Sequence, residues 1–176
     1  MSVPVWNPAI EFMEREALER VQFANLRQTV AWALKTPFYR RRLAEVGLTH
    51  PEDLSSLREL RNLPYTTKDD LRAAYPDGLL AVDVEQAVRL HTSSGTTGMP
   101  TVIYHTRRDL DCWTELMARC IVAAGATARD VFQNMTHYGM FTGGLGLHYG
   151  AERVGMLVIP ASSGNTSRPA ASTRTS

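Results

Sequence analysis

His91-Thr92-Ser93-Ser94-Gly95-Thr96-Thr97-Gly98-Met99-Pro100-Thr101-Val102-Ile103-Tyr104-His105-Thr106 is the stretch on which the reading of this chain turns. Ala87 to Ser93 and Thr101 to Thr106 are short and rich in β-branched and aromatic residues, so the segment predicts strand, loop, strand. The loop, Ser93, Ser94, Gly95, Thr96, Thr97 and Gly98, offers four hydroxyls and two positions where the backbone turns without a Cβ clash. Composition alone leaves two readings open: a solvated Ser/Gly linker, or a cradle in which main-chain N–H groups and hydroxyls wrap an anion. The β-rich flanks favour a constrained loop. A Walker loop is excluded, because that motif needs Gly-Lys-Ser/Thr opening a helix and the chain has no Gly-Lys pair. Gly143-Gly144-Leu145-Gly146 has the wrong spacing for a dinucleotide fingerprint.

Upstream of the loop the pattern is helical. Asn7 and Pro8 supply a cap and a favoured first residue, and Ile10, Met13, Ala17, Val21, Ala24, Val30 and Leu34 form an apolar stripe that ends at Thr36-Pro37. One long helix with a docking face is expected. Phe38–Val46 reads as a second helix stopped by Gly47, and Ser56–Leu63 as a short third one stopped by Pro64. Thr67 and Asp70 have capping-box spacing for a fourth, ending near Tyr75-Pro76.

Downstream, Arg108–Ala124 returns to helical spacing, with Trp113, Leu116, Met117, Cys120, Ile121 and Ala124 on one face and Gly125 as the stop. Val131–Met135 reads as a strand, Gly144–Val154 as a helix and Met156–Ile159 as a strand. The fold class is therefore α/β: a helical N-terminal region, 1–83, then the incomplete beginning of a layered α/β domain, 84–166. Residues 167–176 read as a flexible tail. A strand followed directly by that tail leaves apolar surface at a sheet edge, which favours association, including a homo-oligomer.

The chain has 176 residues, 44% hydrophobic and 21% charged, enough for a buried core. Its formal net charge of +1, with basic residues scattered among the acids, argues against a nucleic-acid partner. Arg40, Arg41 and Arg42 read as a solvated helix face. Cys112 and Cys120 are too few for a disulfide framework or zinc site and read as core or boundary residues of a reduced protein. No run of eighteen apolar residues and no signal pattern occurs, so a cytoplasmic protein with no membrane partner is expected. His50 lies in a loop, His91 and His105 bracket the Ser/Gly/Thr loop, and His137 and His148 fall near the glycine-rich turn; no pair has zinc-helix spacing.

SSGTTGMP resembles the phosphate-binding signature of adenylate-forming ligases, and HTSSGTTGMPTVIYHTRRDLD resembles the form found in phenylacetate-CoA ligases. TPFYRRRLAEVG, PYTTKDDLRAAYP and YGMFTGGLGLHYGAERVGMLVIP resemble further segments of that family in the same order, so the likeness runs to about Thr166. The resemblance implies a reaction in two halves. An aryl carboxylic acid attacks the α-phosphate of MgATP to give an acyl-adenylate and diphosphate, and the coenzyme A thiol then displaces AMP. It implies that Ser93 to Gly98 hold the β- and γ-phosphates, and that Tyr138, Phe141 and Gly143 belong to the acid pocket. Without the resemblance, Tyr138 and Phe141 read as ordinary core aromatics. His137 reads as an ordinary hydrogen-bonded histidine.

Two departures qualify what the resemblance implies. Met99 stands where family members generally carry a basic residue. The complete ligases are more than twice as long, and their mobile C-terminal domain bears a lysine that assists adenylation; the lysines here, Lys35 and Lys68, both precede the loop. The expectation is an N-terminal ligase fragment, inactive alone; a truncated or frame-shifted gene, or a fragment completed by a separate C-terminal chain, would each account for it. The alternative is a non-catalytic nucleotide-binding or interaction module derived from such a ligase.

Overall fold

A computed structural model describes residues 4–93, 100–139 and 142–162. The expected phosphate-loop residues Ser94, Gly95, Thr96, Thr97 and Gly98, together with Met99, Phe141 and the tail 167–176, lie outside the described residues.

The expected first helix is two helices, α1 (Pro8–Glu11) and α2 (Arg15–Ala33), with Glu14 extended between them at φ −56°, ψ 144°. A tertiary anchor stands at the start of α1. Asn7 does not cap α1 with its side chain; its Nδ2 donates to Glu115 Oε1 at 3.1 Å, and Trp6 Nε1 donates to Glu115 Oε2 at 3.0 Å. Those bonds hold the Glu115 carboxyl below the usual range, Trp6 contributing most and Asn7 next. The chain is thereby anchored to a distant helix before α2 begins.

The apolar stripe expected along the first helix is only partly buried. Ile10 and Val21 are exposed, whereas Phe23, Leu26, Val30, Ala33 and Leu34 pack with Leu43, Leu48 and Leu54. The N-terminal core therefore sits on the second half of α2. Arg27 closes it by donating to the Leu54 carbonyl at 2.6 and 3.1 Å.

Helix α3 (Pro37–Ala44) is capped by Thr36, and Gly47, at φ +78°, takes the left-handed conformation that ends the turn after it. The short helix expected at Ser56–Leu63 is a 3-10 segment, Leu57–Asn62, closed by i→i−3 bonds such as Leu63 N to Leu60 O. Helix α4 (Lys68–Ala73) has the expected capping box: Thr67 N donates to Asp70 Oδ2 at 2.8 Å, and Asp70 N donates to Thr67 Oγ1 at 3.2 Å. Arg42 of α3 donates to the same carboxylate at 2.8 Å. The Thr67 bonds, and then Arg42, hold the Asp70 carboxyl down at about 2.

Strands β1 (Ala87–Thr92) and β2 (Val102–Thr106) pair antiparallel, with Leu90 opposite Tyr104 and His91 opposite Ile103. Helix α5 (Arg107–Ala123) follows at once, opened by a Thr106–Asp109 capping box and followed by Gly125 at φ +97°. Strand β3 (Val131–Gln133), helix α6 (Thr142–Val154) and strand β4 (Leu157–Ile159) form a βαβ unit whose strands are parallel. This is a partial α/β layer, as expected.

Helices α5 and α6 meet at glycines. A Cβ on Gly146 would lie 2.5 Å from Trp113 Cζ2, and one on Gly150 would lie 2.6 Å from Met117 Cβ. Their contact continues into a core of Ala118, Ile121, Ala151, Val154 and Met156, bordered by Trp6, Phe132 and Val158. The buried face of α5 is thus the Leu110, Trp113, Met117, Ala118, Ile121 side, and Leu116 and Cys120 of the expected face are exposed. Cys112 is exposed as well, so neither cysteine is the core or boundary residue expected. Met156 is buried, but the facing pair Val131 and Leu157 is 51% and 65% exposed at the start of the parallel ladder. Among the described residues no helix is long and apolar enough to cross a membrane.

Gly150→Ala separates packing from propensity. Helix propensity alone would raise stability by about 1 kcal/mol, while forcing a methyl against Met117 Cβ costs about 1–3 kcal/mol. Urea unfolding followed by circular dichroism is expected to show a lower midpoint; a higher one would mean that the α5–α6 contact is not as close as described.

Candidate functional site

The candidate site is built on two loops supported by one helix pair. The first loop leaves β1 at Ser93. Its stem extends the hairpin by one pair beyond Thr92 and Val102: Ser93 N donates to Thr101 O at 3.1 Å, and Thr101 Oγ1 and N donate to Ser93 Oγ at 2.7 and 3.3 Å. Thr101 is buried, so these bonds form in a water-poor stem where each side chain needs a partner. With both Thr101 donors directed at its oxygen, the Ser93 hydroxyl proton remains to donate elsewhere. Ser93 is the described member of the expected phosphate loop.

Beneath this stem lies an aromatic stack. His105 is stacked on Trp113 with ring centroids 5.8 Å apart, and His91 meets Trp113 edge-on at 5.7 Å and His105 at 5.4 Å. His91 is buried. Burial pushes the His105 imidazole below its ordinary value, the neighbouring His91 and Arg89 push the same way, and Asp109 opposes them. Trp113 in turn faces Gly146, so the hairpin carrying the loop rests on α6 through one indole.

The second loop joins β3 to α6. Asn134, 1% exposed, organises it: its Nδ2 donates to Gly144 O at 2.8 Å, and its Oδ1 accepts from Thr136 N at 3.1 Å and Thr136 Oγ1 at 2.6 Å. Its backbone N–H donates to Ile159 O, and its carbonyl accepts from Ser162 N. Gly144 lies so close to the His137 carbonyl that a Cβ would have no room. The loop therefore folds tightly over the start of α6, and Gly143 stands in that helix's first turn.

Tyr138, half-buried in this loop, is joined to α6 through its hydroxyl, 3.1 Å from His148 Nδ1. His148 Nε2 is 3.1 Å from Glu152 Oε1, one helical turn further on. Burial raises the Tyr138 phenol above its ordinary value, with the Glu152 charge acting in the same direction and the Asn134 side chain against it. The β1 strand also touches α6 near these side chains: Tyr149 packs edge-on to His148, and the Arg89 guanidinium of β1 lies 5.0 Å from the Tyr149 ring centroid. Sequence reasoning missed Asn134, Trp113 and His148 as site-building residues. The i, i+4 spacing of His148 and Glu152 was the signal for one of them; the other two acquire their role only through tertiary contact.

A cleft of about 900 Å³ is lined among others by Trp32, Tyr75, Leu80, Tyr104 and Cys112; among the described residues, the expected site residues Ser93, Tyr138 and Gly143 do not line it. Among the described residues no group of three His, Cys, Asp or Glu side chains is placed to hold a metal ion.

The folded chain is 49% identical over 170 residues to phenylacetate-coenzyme A ligase from Pseudomonas putida, and 44% identical over 171 residues to the enzyme of that name from Escherichia coli K12. The chain belongs to the phenylacetate-CoA ligase family. Each match takes in 94% of this chain, which corresponds to the N-terminal portion of the ligases and spans 36% and 39% of those two relatives' lengths. No family model matches the chain. The ligase-family fold is seen directly in 2-hydroxyisobutyryl-CoA ligase: its complex with 2-HIB-AMP and CoA in the thioesterification state superposes with a TM-score of 0.82 at 29% identity. Its postadenylation complex with 2-HIB-AMP gives 0.81 at 27%. These superpositions cover 92% of this chain and 35% and 34% of the respective neighbours.

The neutral state of His105 sets an acid limit on the hairpin of this ligase-family chain. Below the unfolded-state value of about 6.5, the unfolded chain takes up a proton that the folded His105 resists. Stability therefore falls as pH drops from there towards the lowered folded value, and levels off below it. Urea titrations from pH 7.5 to pH 5 are expected to show this loss, reduced in His105→Gln; an identical pH dependence in the two proteins would show that His105 is not its source.

Proposed function

We propose that the chain supplies the acid- and phosphate-binding part of an aryl-acid CoA ligase, for which the overall reaction is phenylacetate + ATP + CoA → phenylacetyl-CoA + AMP + diphosphate. The observation that carries this reading is the 49% identity across 170 residues to a phenylacetate-coenzyme A ligase. Residues 1–83 form the helical N-terminal region of the assignment and 84–166 the nucleotide- and acid-binding region. Ser93 to Gly98 take the β- and γ-phosphates, and Tyr138, Phe141 and Gly143 take the aryl ring.

The described residues fit such ligands. Ser93 stands at the rim of a clamped hairpin with a hydroxyl proton to donate, the donor chemistry that a phosphate oxygen accepts. Gly143 stands in the first turn of α6 and Tyr138 of the preceding loop is half-buried, so an aromatic ring and a side-chain-free backbone position lie on the same β3–α6 connection, the residue types that a ring-binding pocket uses. Mg2+ enters in this reading as the partner of ATP, not through a protein cluster. The protein works in the cytoplasm, where the three co-substrates meet. The remainder of the catalytic constellation comes from the length that the relatives carry beyond this match, in the same or a complementing chain. A homo-oligomer belongs to the same reading, through the exposed Val131 and Leu157.

Diphosphate release is the test. The 176-residue chain with phenylacetate, ATP and coenzyme A is expected to give no thioester. Mixed with the C-terminal portion of the Pseudomonas putida relative, it is expected to give turnover that Gly95→Asp abolishes. Multiple turnover by the chain alone would refute the division of labour, and nucleotide binding without turnover in the mixture would favour a non-catalytic module.

The phosphate assignment is tested separately at Met99. Met99→Lys adds a cation where ligases of this family generally carry one, and an exposed pair of this kind contributes about 0.2–1 kcal/mol. Calorimetric titration is expected to show ATP tightening several-fold at most, less at high salt, and AMP tightening less than ATP. Equal tightening of both would mean that the loop does not hold the distal phosphates.

A further inference from the structure

The antiparallel ladder of β1 and β2 ends in an exchange that a serine makes possible. In the register that pairs Leu90 with Tyr104 and Thr92 with Val102, Ser93 stands opposite Thr101, and its N–H donates to Thr101 O at 3.1 Å. A hydrogen-bonded pair of this kind ordinarily returns the second N–H to the facing carbonyl. Here the Thr101 N–H donates to Ser93 Oγ instead, at 3.3 Å, and Thr101 Oγ1 donates to the same oxygen at 2.7 Å. The last rung is therefore closed by a side chain, at the residue where the Ser/Gly/Thr loop begins.

Hydroxyl chemistry fixes what is left. A serine oxygen has two lone pairs and one proton. Both lone pairs take Thr101 donors, so the proton is what Ser93 has to offer a ligand, and among the described residues nothing accepts it. Hydroxyls and amides do not titrate near neutral pH, so these donor directions depend on no charge state. Thr101 has little freedom to leave the arrangement: it is 7% exposed, and a buried hydroxyl without its partner loses a hydrogen bond that water is not there to replace. The strand is held as well, since His91, two residues before Ser93, is buried against Trp113.

We propose that Thr101 is a positioning residue of the phosphate loop: by filling the acceptor side of Ser93 Oγ, it leaves Ser93 as a donor to a phosphate oxygen of the bound nucleotide. This rests on the reading of Ser93 as a phosphate-binding residue above. An ionised phosphate oxygen only accepts, and a serine restricted to donating matches it without giving up another partner. The ordering of the hydroxyl is complete before the ligand arrives, so binding does not bear that cost. Thr101 acts on the nucleotide through Ser93 and not by a contact of its own.

The experiment combines urea unfolding with calorimetric titration of ATP, both in the whole chain. Ser93→Ala removes the shared acceptor and leaves two buried Thr101 donors without one, so its unfolding midpoint is expected to fall. Adding Thr101→Val removes one of those donors and is expected to recover part of the loss. In the titrations, Ser93→Ala is expected to weaken ATP about tenfold, and Thr101→Val alone about three- to tenfold, the worth of one neutral hydrogen bond. Thr101→Ser, which keeps the hydroxyl, is expected to restore the parent affinity. In the Ser93→Ala background, Thr101→Val is expected to leave ATP affinity unmoved, because the side chain through which Thr101 acts is gone. A role confined to hairpin stability would weaken ATP by the same factor in both backgrounds, and that result overturns the proposal. So does an unchanged affinity in Thr101→Val, or a double variant that recovers no stability. If the stability cycle is as expected and the parent chain binds no ATP, the phosphate reading of the loop is the part that fails, and the positioning role falls with it.

Discussion

The close approach of α5 and α6 is the constraint on which the rest of the second half depends. Gly146 and Gly150 present bare backbone to Trp113 and Met117, and these contacts leave no space for a single additional carbon. Because the helices meet at this distance, Trp113 is pressed against both α6 and the histidines of the hairpin, and one indole transmits the position of α6 to the stem at Ser93 and Thr101. The glycines weaken α6 as an isolated helix, since each gives up helix propensity. Close-packed contact with α5 offsets that loss.

Two polar side chains complete what the glycines begin. Asn134 joins the ends of β3 and β4 to the first turn of α6, and every polar group on its amide has a partner. Glu115 reaches from α5 to Trp6 and Asn7, with Arg119 and Arg153 at 3.7 and 3.9 Å. Burying polar groups is costly unless they are paired, so such clusters favour one arrangement of the elements over its neighbours. In this ligase-family chain Asn134 fixes the β3–α6 loop on the start of α6, and Glu115 fixes the N-terminal segment on α5.

Much of this was legible in the linear pattern. The capping boxes at Thr67 and Thr106, the stops at Gly47 and Gly125, and the β-rich flanks of the Ser/Gly/Thr loop are local signals that work within a few residues, and each appears where its chemistry places it. The 3-10 form of Leu57–Asn62 was not legible, because the i→i−3 and i→i−4 patterns differ little over six residues.

Chain order by itself therefore determined most of the elements, the family resemblance and the candidate residues, since propensity, capping and motif spacing act between neighbours. Tertiary structure alone decided which faces are used. Both halves of the apolar stripe on the first helix look alike in sequence, yet only the second meets Leu43, Leu48 and Leu54, while Trp6 and Asn7 ahead of the first are drawn to Glu115. On α5 the seam turned away from Leu116 and Cys120 because the glycines of α6 admit the Trp113 and Met117 side, and a glycine's room for a partner is invisible until the partner is in place. His148 shows the same division: its spacing to Glu152 is written in the chain, but the hydroxyl that completes the series comes from a loop that only the folded β3–α6 connection brings over it.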